Sequence, residues 1–328
     1  MAVAESIEKV WYQRMKKLVL ICIMLLLLCG CGRTYSFTIL DGQTVMQAEM
    51  KESDMIEGPC AVYTADGDII YAEDYKPDRE LYGVVLNPPE HTLTYVYDLA
   101  LDSLKNGEKV MIVYLDGFGY WSYEYALENG LIKNLEQFDS EKVLAMYPTI
   151  TPVNYAAMVT GQTPAKNGVT ARGIHVLNCS TIFDDVLELE QSAYIAEGDT
   201  QILSFSVSQE LNPDLNGDGS TDDEVFESAL EACTAGNYGM VFVHFHGIDD
   251  VSHATGPMSE RTLEEISRVD EYIGLLTQQW NGRIIVTADH GQHNNDGNGD
   301  SEYEDYTGVP GAFVQSDIYV PILTNWKE

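Results

Sequence analysis

The chain has 328 residues, which is enough for one large α/β domain and a small appendage. It carries 18 basic and 52 acidic residues, so its formal net charge is −34. This charge argues against a nucleic-acid polymer or an anionic membrane face as a partner, and an anionic substrate would have to be attracted by something local and positive, such as metal ions.

The first 31 residues have the pattern of a bacterial lipoprotein signal peptide. Met15 and the two lysines after it form a basic start, and the apolar run that follows, Leu18 to Cys29, is too short to span a bilayer. The sequence LCGC ends at Cys31 and is similar to a lipobox. We therefore predict a translation start at Met15, a lipid anchor on Cys31 and an extracytoplasmic protein held at the cell membrane. Ordinary cleavage and secretion is the alternative.

The next segment, residues 32–90, is rich in strand and turn residues. A hairpin is predicted where the turn residues 65–68 separate two β-type runs. The segment has no cluster of catalytic residue types, so we interpret it as a small N-terminal β appendage.

Residues 91–328 alternate between helices and apolar strands and are predicted to form the catalytic domain. Predicted strands cover 110–116, 143–147, 241–247 and 284–288, with short strands near Tyr194 and Leu203. Predicted helices cover 92–105, the 120s, the stretch after Thr151, 181–190, a segment from Asp222, and 259–279. Near-continuous apolar strands that alternate with helices predict a three-layer α/β/α sandwich around a mostly parallel sheet.

A sharp turn from strand to helix is predicted at Thr151, within the stretch Val143 to Gly161. A hydroxyl at the start of a helix faces the positive end of the helix dipole and free backbone N–H groups. That environment suits a bound phosphate or an ionised alkoxide. The alternative is a threonine that only caps the helix.

Carboxylate and imidazole side chains follow three apolar strands: Asp116, then Asp249 and Asp250 with His253, then Asp289 with His290. The carboxyl ends of parallel strands meet at one edge of a sheet, where α/β proteins place their sites. Carboxylates and imidazoles that converge there are typical of a metal site.

With these residues, the chain resembles the alkaline phosphatase superfamily and, within it, the type I phosphodiesterase/nucleotide pyrophosphatase branch. The motifs are YLDGFG (114–119), YPTITPVN (147–154), VTGQTP (159–164), IDDVSHATGP (248–257) and TADHGQH (287–293). The resemblance implies an alkaline phosphatase-like fold and a metal-dependent hydrolase of small-molecule or lipid phosphoesters, with diesters preferred. It also implies that Thr151 is the nucleophile and becomes a phosphothreonine during the reaction.

The same resemblance implies two divalent ions, with zinc as the usual metal. One ion would be held by Asp116, Thr151, Asp289 and His290, and the other by ligands that include Asp249 and His253. Asn154 matches an asparagine that helps to bind a phosphoryl oxygen in that branch.

Two positions depart from the family pattern. Pro152 stands where nucleotide pyrophosphatases have a base-stacking aromatic residue, and Pro310 stands where the last imidazole of the second metal is expected. We predict that His293 partly replaces this imidazole. The alternative is a catalytically impaired member that serves as a lipoprotein binding phosphate esters.

Two weaker signals remain. The segment Asp214–Asp222 matches the opening of an EF-hand loop and suggests a Ca²⁺ site, but Val225 occupies the position of the bidentate glutamate. Because Thr221 and Glu224 fit a capping box, an acidic loop that caps the next helix is the favoured interpretation. His244 and His246 share one strand face, and at least one of them is expected to be packed without touching metal.

Overall fold

The structure is a computed structural model that describes residues 33–295 and 306–327. The predicted leader and Cys31 lie outside the described residues. In the part of the chain that is described, no helix combines the length and the apolar sequence needed to cross a membrane.

The N-terminal part forms a five-stranded sheet of its own. Its strands are β1 (Thr34–Asp41), β2 (Thr44–Lys51), β3 (Ile56–Thr64), β4 (Ile69–Tyr75) and β5 (Leu81–Leu86), in the order β2-β1-β5-β3-β4. All neighbours are antiparallel except β1 and β5. The predicted turn at 65–68 joins β3 to β4 as a hairpin.

A seven-stranded sheet forms the centre of the rest of the chain. Its strands are β6 (Val110–Leu115), β7 (Asp139–Leu144), β8 (Ala193–Glu197), β9 (Gln209–Leu211), β10 (Met240–Phe245), β11 (Arg283–Ala288) and β14 (Tyr319–Thr324). Their order is β7-β14-β11-β6-β10-β8-β9, and the run from β11 to β9 is parallel throughout. β14 runs in the opposite direction to the other six strands and is antiparallel to both of its neighbours, β11 and β7. Two short strands, β12 (His293–Asn294) and β13 (Gly308–Val309), pair separately.

Helices cover both faces of the large sheet. They are α1 (Tyr95–Lys105), α2 (Tyr120–Glu128), α3 (Thr151–Thr160), α4 (Pro164–Asn167), α5 (Ile182–Glu188), α6 (Asp222–Ala235), α7 (Gly247–Thr255), α8 (Glu260–Gln279) and α9 (Gln315–Ile318), with a 3₁₀ turn at Leu135–Gln137. Every residue of β6 and β10 is buried, which requires cover on both faces because successive side chains point to opposite sides. The predicted three-layer sandwich with a mostly parallel sheet is confirmed.

Three local predictions were wrong. The predicted strand at 143–147 ends at Leu144 and begins at Asp139, because β7 pairs with β14 over polar residues that the apolar run did not include. No strand forms at Leu203. Helix α7 follows β10 almost at once and was not predicted, since its sequence, GIDDVSHAT, has only two large apolar residues and no clear 3–4 spacing.

The two sheets are joined by a shared apolar cluster beside the long loop that leads to β14. The ring of Phe313 lies edge-on to Tyr63 of β3, with ring centroids 5.1 Å apart. The Tyr63 hydroxyl donates a hydrogen bond to the Ala145 carbonyl at 2.9 Å. Gly83 of β5 leaves the space that the Phe313 ring occupies, because a Cβ there would lie 2.5 Å from the ring. The N-terminal sheet therefore packs against the segment 308–318, which carries contacts of the site described next.

Candidate active site

The register of three parallel strands brings three residues to equivalent positions at one edge of the large sheet. Leu115 is paired with Phe245 on one side and with Ala288 on the other. The next residues on these strands are Asp116, His246 and Asp289, so Asp116 is flanked by the other two. The Asp116 amide donates to the Phe245 carbonyl at 2.9 Å, which continues this register one step beyond the strand.

Asp289 is held by backbone groups on one oxygen and left without a donor on the other. Its Oδ1 accepts from the amides of Gly117 at 3.0 Å and His290 at 2.7 Å. Its Oδ2 is buried and receives no well-directed hydrogen bond, although His290 Nε2 lies 3.1 Å away. His290 Nε2 is also 3.6 Å from Asp116 Oδ1. These side chains thus direct oxygen and nitrogen lone pairs toward one another, an arrangement suited to a shared cation.

Thr151 is the first residue of α3 and lies against the same carboxylate. Its Oγ1 is 3.5 Å from Asp116 Oδ1 and 3.4 Å from Oδ2. The alternative interpretation as a capping threonine is wrong, because Ile150 occupies the N-cap position and no side chain caps this helix. The hydroxyl is therefore free of a capping bond and faces the strand-end carboxylate at the positive end of a ten-residue helix.

Asp249 and His253 are four residues apart on α7 and face each other. His253 Nε2 lies 2.9 Å from Asp249 Oδ2, while the Nδ1 N–H of His253 points to the Gly308 carbonyl at 2.7 Å. Asp249 Oδ1 also accepts a short hydrogen bond from Gln292 Nε2. Both residues were predicted at the end of β10, whereas the structure places them on a helix that brings Asp249 beside Gly117.

Burial and mutual repulsion determine the charge state of this cluster. Burial raises the pKa of Asp116 well above its ordinary value, and the carboxylates of Asp249 and Asp289 raise it further. Burial also raises the pKa of Asp249, but the hydrogen bond and charge of His253 outweigh it and the net pKa is low. The buried carboxylates of Asp116 and Asp289 and the partly exposed carboxylate of Asp249 repel one another, and one Asp289 oxygen has no hydrogen-bond partner. Together they form a donor set that fits divalent cations.

His293 contacts the carboxylate of Asp317, which follows it in the sequence by 24 residues. Among the described residues its carboxylate partner is Asp317, since His293 Nδ1 lies 3.0 Å from both Asp317 oxygens. Asp317 is fully buried, and burial raises its pKa. β12 pairs His293 with Val309, next to Pro310, so His293 lies beside the expected imidazole position but bonds to a different group.

Asn154 makes its hydrogen bonds within the turn that leads into α3. Its Oδ1 accepts from the Met146 amide at 2.7 Å, and its Nδ2 lies 3.3 Å from the Ile150 carbonyl. The side chain is fully buried. In this structure Asn154 therefore ties the end of β7 to α3 and holds Thr151 in place.

The acidic loop before α6 does not gather all of its carboxylates. Asp214 accepts from the Gly217 and Gly219 amides, but the buried Asp222 turns away to the His246 amide at 2.8 Å. The predicted capping box is wrong, because Thr221 makes no side-chain capping bond. Asp222, the last carboxylate of the segment predicted to bind Ca²⁺, is therefore bound to another part of the chain.

Glu197 was missed by the sequence analysis. It ends β8 and lies 2.8 Å from His246 Nε2 and 2.7 Å from His244 Nδ1. Burial raises the pKa of Glu197, but the charge and contacts of the two histidines outweigh this and lower it to about 2. A carboxylate at the end of an apolar strand was the signal used for Asp116, and the same signal would have identified Glu197.

Within the described residues, two groups of ligand atoms lie within 4.8 Å of one another and could hold a metal ion. One comprises Asp116, Asp289 and His290, and the other comprises Asp116, His244 and His246. Asp116 belongs to both groups.

Comparison with known proteins identifies one family and several distant relatives. The model of the type I phosphodiesterase/nucleotide pyrophosphatase family matches residues 110–178 and 189–318, which include all the motifs quoted above. The catalytic subunits of mouse and human GPI ethanolamine phosphate transferase 3 are 32% identical to the chain over 88 residues. That match covers 26% of this chain and only 8% of each relative's length.

Two solved structures are distantly similar to the chain. Phosphonoacetate hydrolase from Sinorhizobium meliloti, in complex with phosphonoformate, has a TM-score of 0.48 and 17% identity over 56% of this chain and 57% of its own. An inactive variant of murine ectonucleotide pyrophosphatase/phosphodiesterase 5, in complex with AMP, has a TM-score of 0.48 and 15% identity over 66% of this chain and 87% of its own.

The close approach of Gly117 to Asp249 gives a first prediction. Gly117 has φ +74°, and a Cβ there would lie 2.9 Å from Asp249 Oδ1. Gly107 has nearly the same φ, +78°, with nothing within 4 Å of its Cβ position, so Gly107→Ala reports the backbone cost alone. We expect Gly117→Ala to lower the free energy of unfolding by about 1–3 kcal/mol more than Gly107→Ala. Equal losses in urea unfolding would show that Gly117 does not crowd the site.

Proposed function

Because the chain belongs to the type I phosphodiesterase/nucleotide pyrophosphatase family, we propose that it hydrolyses phosphoesters, with diesters preferred over monoesters, through Thr151. The observation that supports this most is the position of the Thr151 hydroxyl, at the start of α3 and 3.4 Å from Asp116 Oδ2. In a chain of charge −34, a phosphate group needs local positive charge to approach. The helix terminus and bound cations would supply it.

We propose two divalent ions, most simply Zn²⁺. One would be held by Asp116, Thr151, Asp289 and His290. The other would have Asp249 and His253 among its ligands. When bound, such ions lower the pKa of a coordinated hydroxyl or water and stabilise charge on phosphoryl oxygens. The mixed carboxylate and imidazole donors suit zinc, and the orphaned Asp289 oxygen supports a cation at this position.

The chain's own residues would act as follows. Thr151 Oγ1 forms a bond to phosphorus while the bond to the leaving oxygen breaks, and the alcohol departs with the proton. Water then hydrolyses the phosphothreonine and restores the hydroxyl. Asn154 holds the turn that presents Thr151, through its hydrogen bonds to the backbone of Met146 and Ile150. The backbone amides of Gly117 and His290 hold the Asp289 carboxylate in position.

A second candidate function rests on Pro310. The described residues around it, Gly308 to Ala312, offer no imidazole to the Asp249–His253 pair. A chain with a weakened second cation would bind phosphate esters and turn them over slowly. We favour hydrolysis because Thr151, Asp116, Asp289 and His290 are all present and close together.

Hydrolysis is tested with a panel of bis-p-nitrophenyl phosphate, p-nitrophenyl phosphate, a nucleoside p-nitrophenyl ester and a phosphoethanolamine ester. We expect zinc-dependent turnover that a chelator abolishes and added zinc restores, with the bis ester hydrolysed faster than the monoester. Because Pro152 lacks a stacking surface, the nucleoside ester should gain no advantage. Absence of turnover by the zinc-saturated protein, together with tight binding of the esters, would favour the binding function instead.

The nucleophile is tested by removing its hydroxyl. Thr151→Ala should reduce kcat by at least about a hundredfold, because a step that needs the Thr151 oxygen cannot occur. Thr151→Ser should keep partial activity. Thr163→Ala, three residues beyond the end of α3, is the matched control and should behave like the wild type, because the Thr163 side chain does not cap the helix that follows. A folded Thr151→Ala protein with most of its activity would contradict the covalent mechanism.

We also propose an extracytoplasmic location with a lipid anchor at Cys31, supported by the LCGC sequence and the apolar run before it. In a bacterial host, Cys31→Ser should move the protein from the membrane fraction to the soluble fraction. If Cys31→Ser protein stays with the membranes and is processed like the wild type, the lipidation proposal fails.

A further inference from the structure

A second cluster of histidines lies on the other side of Asp116 from Asp289. His246 occupies the strand-end position that matches Asp116, and His244 lies two residues earlier on the same face of β10. The two rings lie close together, with centroids 3.9 Å apart. His244 is fully buried, whereas the His246 side chain is 18% exposed.

Both rings lie between two carboxylates. On one side, Glu197 Oε1 is 2.8 Å from His246 Nε2 and 2.7 Å from His244 Nδ1. On the other side, Asp116 Oδ2 is 3.5 Å from His246 Nδ1 and 3.9 Å from His244 Nε2. Glu197 is fully buried, and its Oε2 has no partner.

When His246 is neutral, its contacts set which ring nitrogen carries the lone pair. A neutral His246 that donates its Nε2 proton to Glu197 must present the lone pair of Nδ1 to Asp116 Oδ2. His244 makes no well-directed hydrogen bond from either nitrogen, although it is buried, and its Nε2 also faces Asp116 Oδ2. Lone pairs on nitrogen and oxygen that face one another in a buried site repel unless a metal ion or a shared proton lies between them. A carboxylate behind each imidazole is also the arrangement that orients histidine ligands of metals.

We propose that Asp116 Oδ2, His244 Nε2 and His246 Nδ1 hold a divalent cation, most simply Zn²⁺, and that Glu197 orients both imidazoles toward it. Two imidazoles, one carboxylate and an open position form a three-ligand zinc set. Donors about 2.0–2.2 Å from a tetrahedral ion lie about 3.5 Å from one another, close to the separations found here.

This site is separate from the Asp249–His253 pair and needs no residue near Pro310. The two oxygens of Asp116 would serve two positions, with Oδ1 facing His290 and Oδ2 facing His246. Asp222 holds the backbone at His246 in place, since its carboxylate accepts hydrogen bonds from the amides of His246 and Gly247 at 2.8 and 3.0 Å. A cation held here would therefore not depend on the imidazole that is missing from the segment 308–312.

The test measures zinc binding and requires no turnover, so its result is independent of the proposed hydrolysis. Wild-type protein and variants are dialysed against buffered free zinc, and bound zinc per chain is measured by mass spectrometry of the metal. His246→Leu should bind one zinc fewer per chain than the wild type. Glu197→Gln should keep the site but weaken it by about 10–100-fold. His175→Leu, at an exposed histidine outside the cluster, is the control and should bind as much zinc as the wild type.

A measurement on the wild type covers the case in which His246→Leu does not fold. In ¹⁵N-labelled protein, zinc should shift the Nδ1 resonance of His246 and leave its Nε2 protonated. The proposal is overturned if His246→Leu binds the same number of zinc ions with the same affinity. It is also overturned if both nitrogens of His246 stay protonated in zinc-saturated protein, because a shared proton would then take the place of the metal.

Discussion

Repulsion among buried carboxylates is the constraint on which the rest of the structure depends. Asp116 and Asp289 follow neighbouring parallel strands, and Asp249 reaches the same edge from α7. Burial and the two other carboxylates raise the pKa of Asp116 well above its ordinary value. Charges of one sign in a buried site destabilise the fold unless positive groups or cations offset them. The imidazoles around the cluster and the proposed zinc ions would offset this repulsion.

The N-terminal sheet contributes to the site indirectly. Its residues Tyr63 and Gly83 hold Phe313, and this ring belongs to the segment that supplies Gly308 and Asp317. The Gly308 carbonyl fixes His253, and the Asp317 carboxylate fixes His293. None of the residues proposed for the site lies in the five-stranded sheet, yet this sheet supports the loop that orients two histidines.

The fold class and the family could be predicted from the sequence, and so could Asp116, Thr151, Asp289 and His290, which the structure brings together. These residues follow long apolar strands or begin a helix, so their positions are determined by local pattern. Helix α7 was missed because it starts two residues after β10 and lacks apolar periodicity. The partnership of Glu197 with His246 could not be read from the sequence, because it depends on the pairing of β8 with β10 across 49 residues. The attachment of His293 to Asp317 likewise depends on tertiary packing.

The central claim is that cations compensate the charge of this cluster, and thermal unfolding tests it most directly. The unfolding temperature of the chelated protein is compared by calorimetry with that of the same protein at increasing free zinc. Ligands that bind only the folded state stabilise it in proportion to the logarithm of their concentration. The account predicts a low unfolding temperature without metal and a rise that continues with zinc concentration. An unfolding temperature that is the same with chelator and with zinc would contradict it.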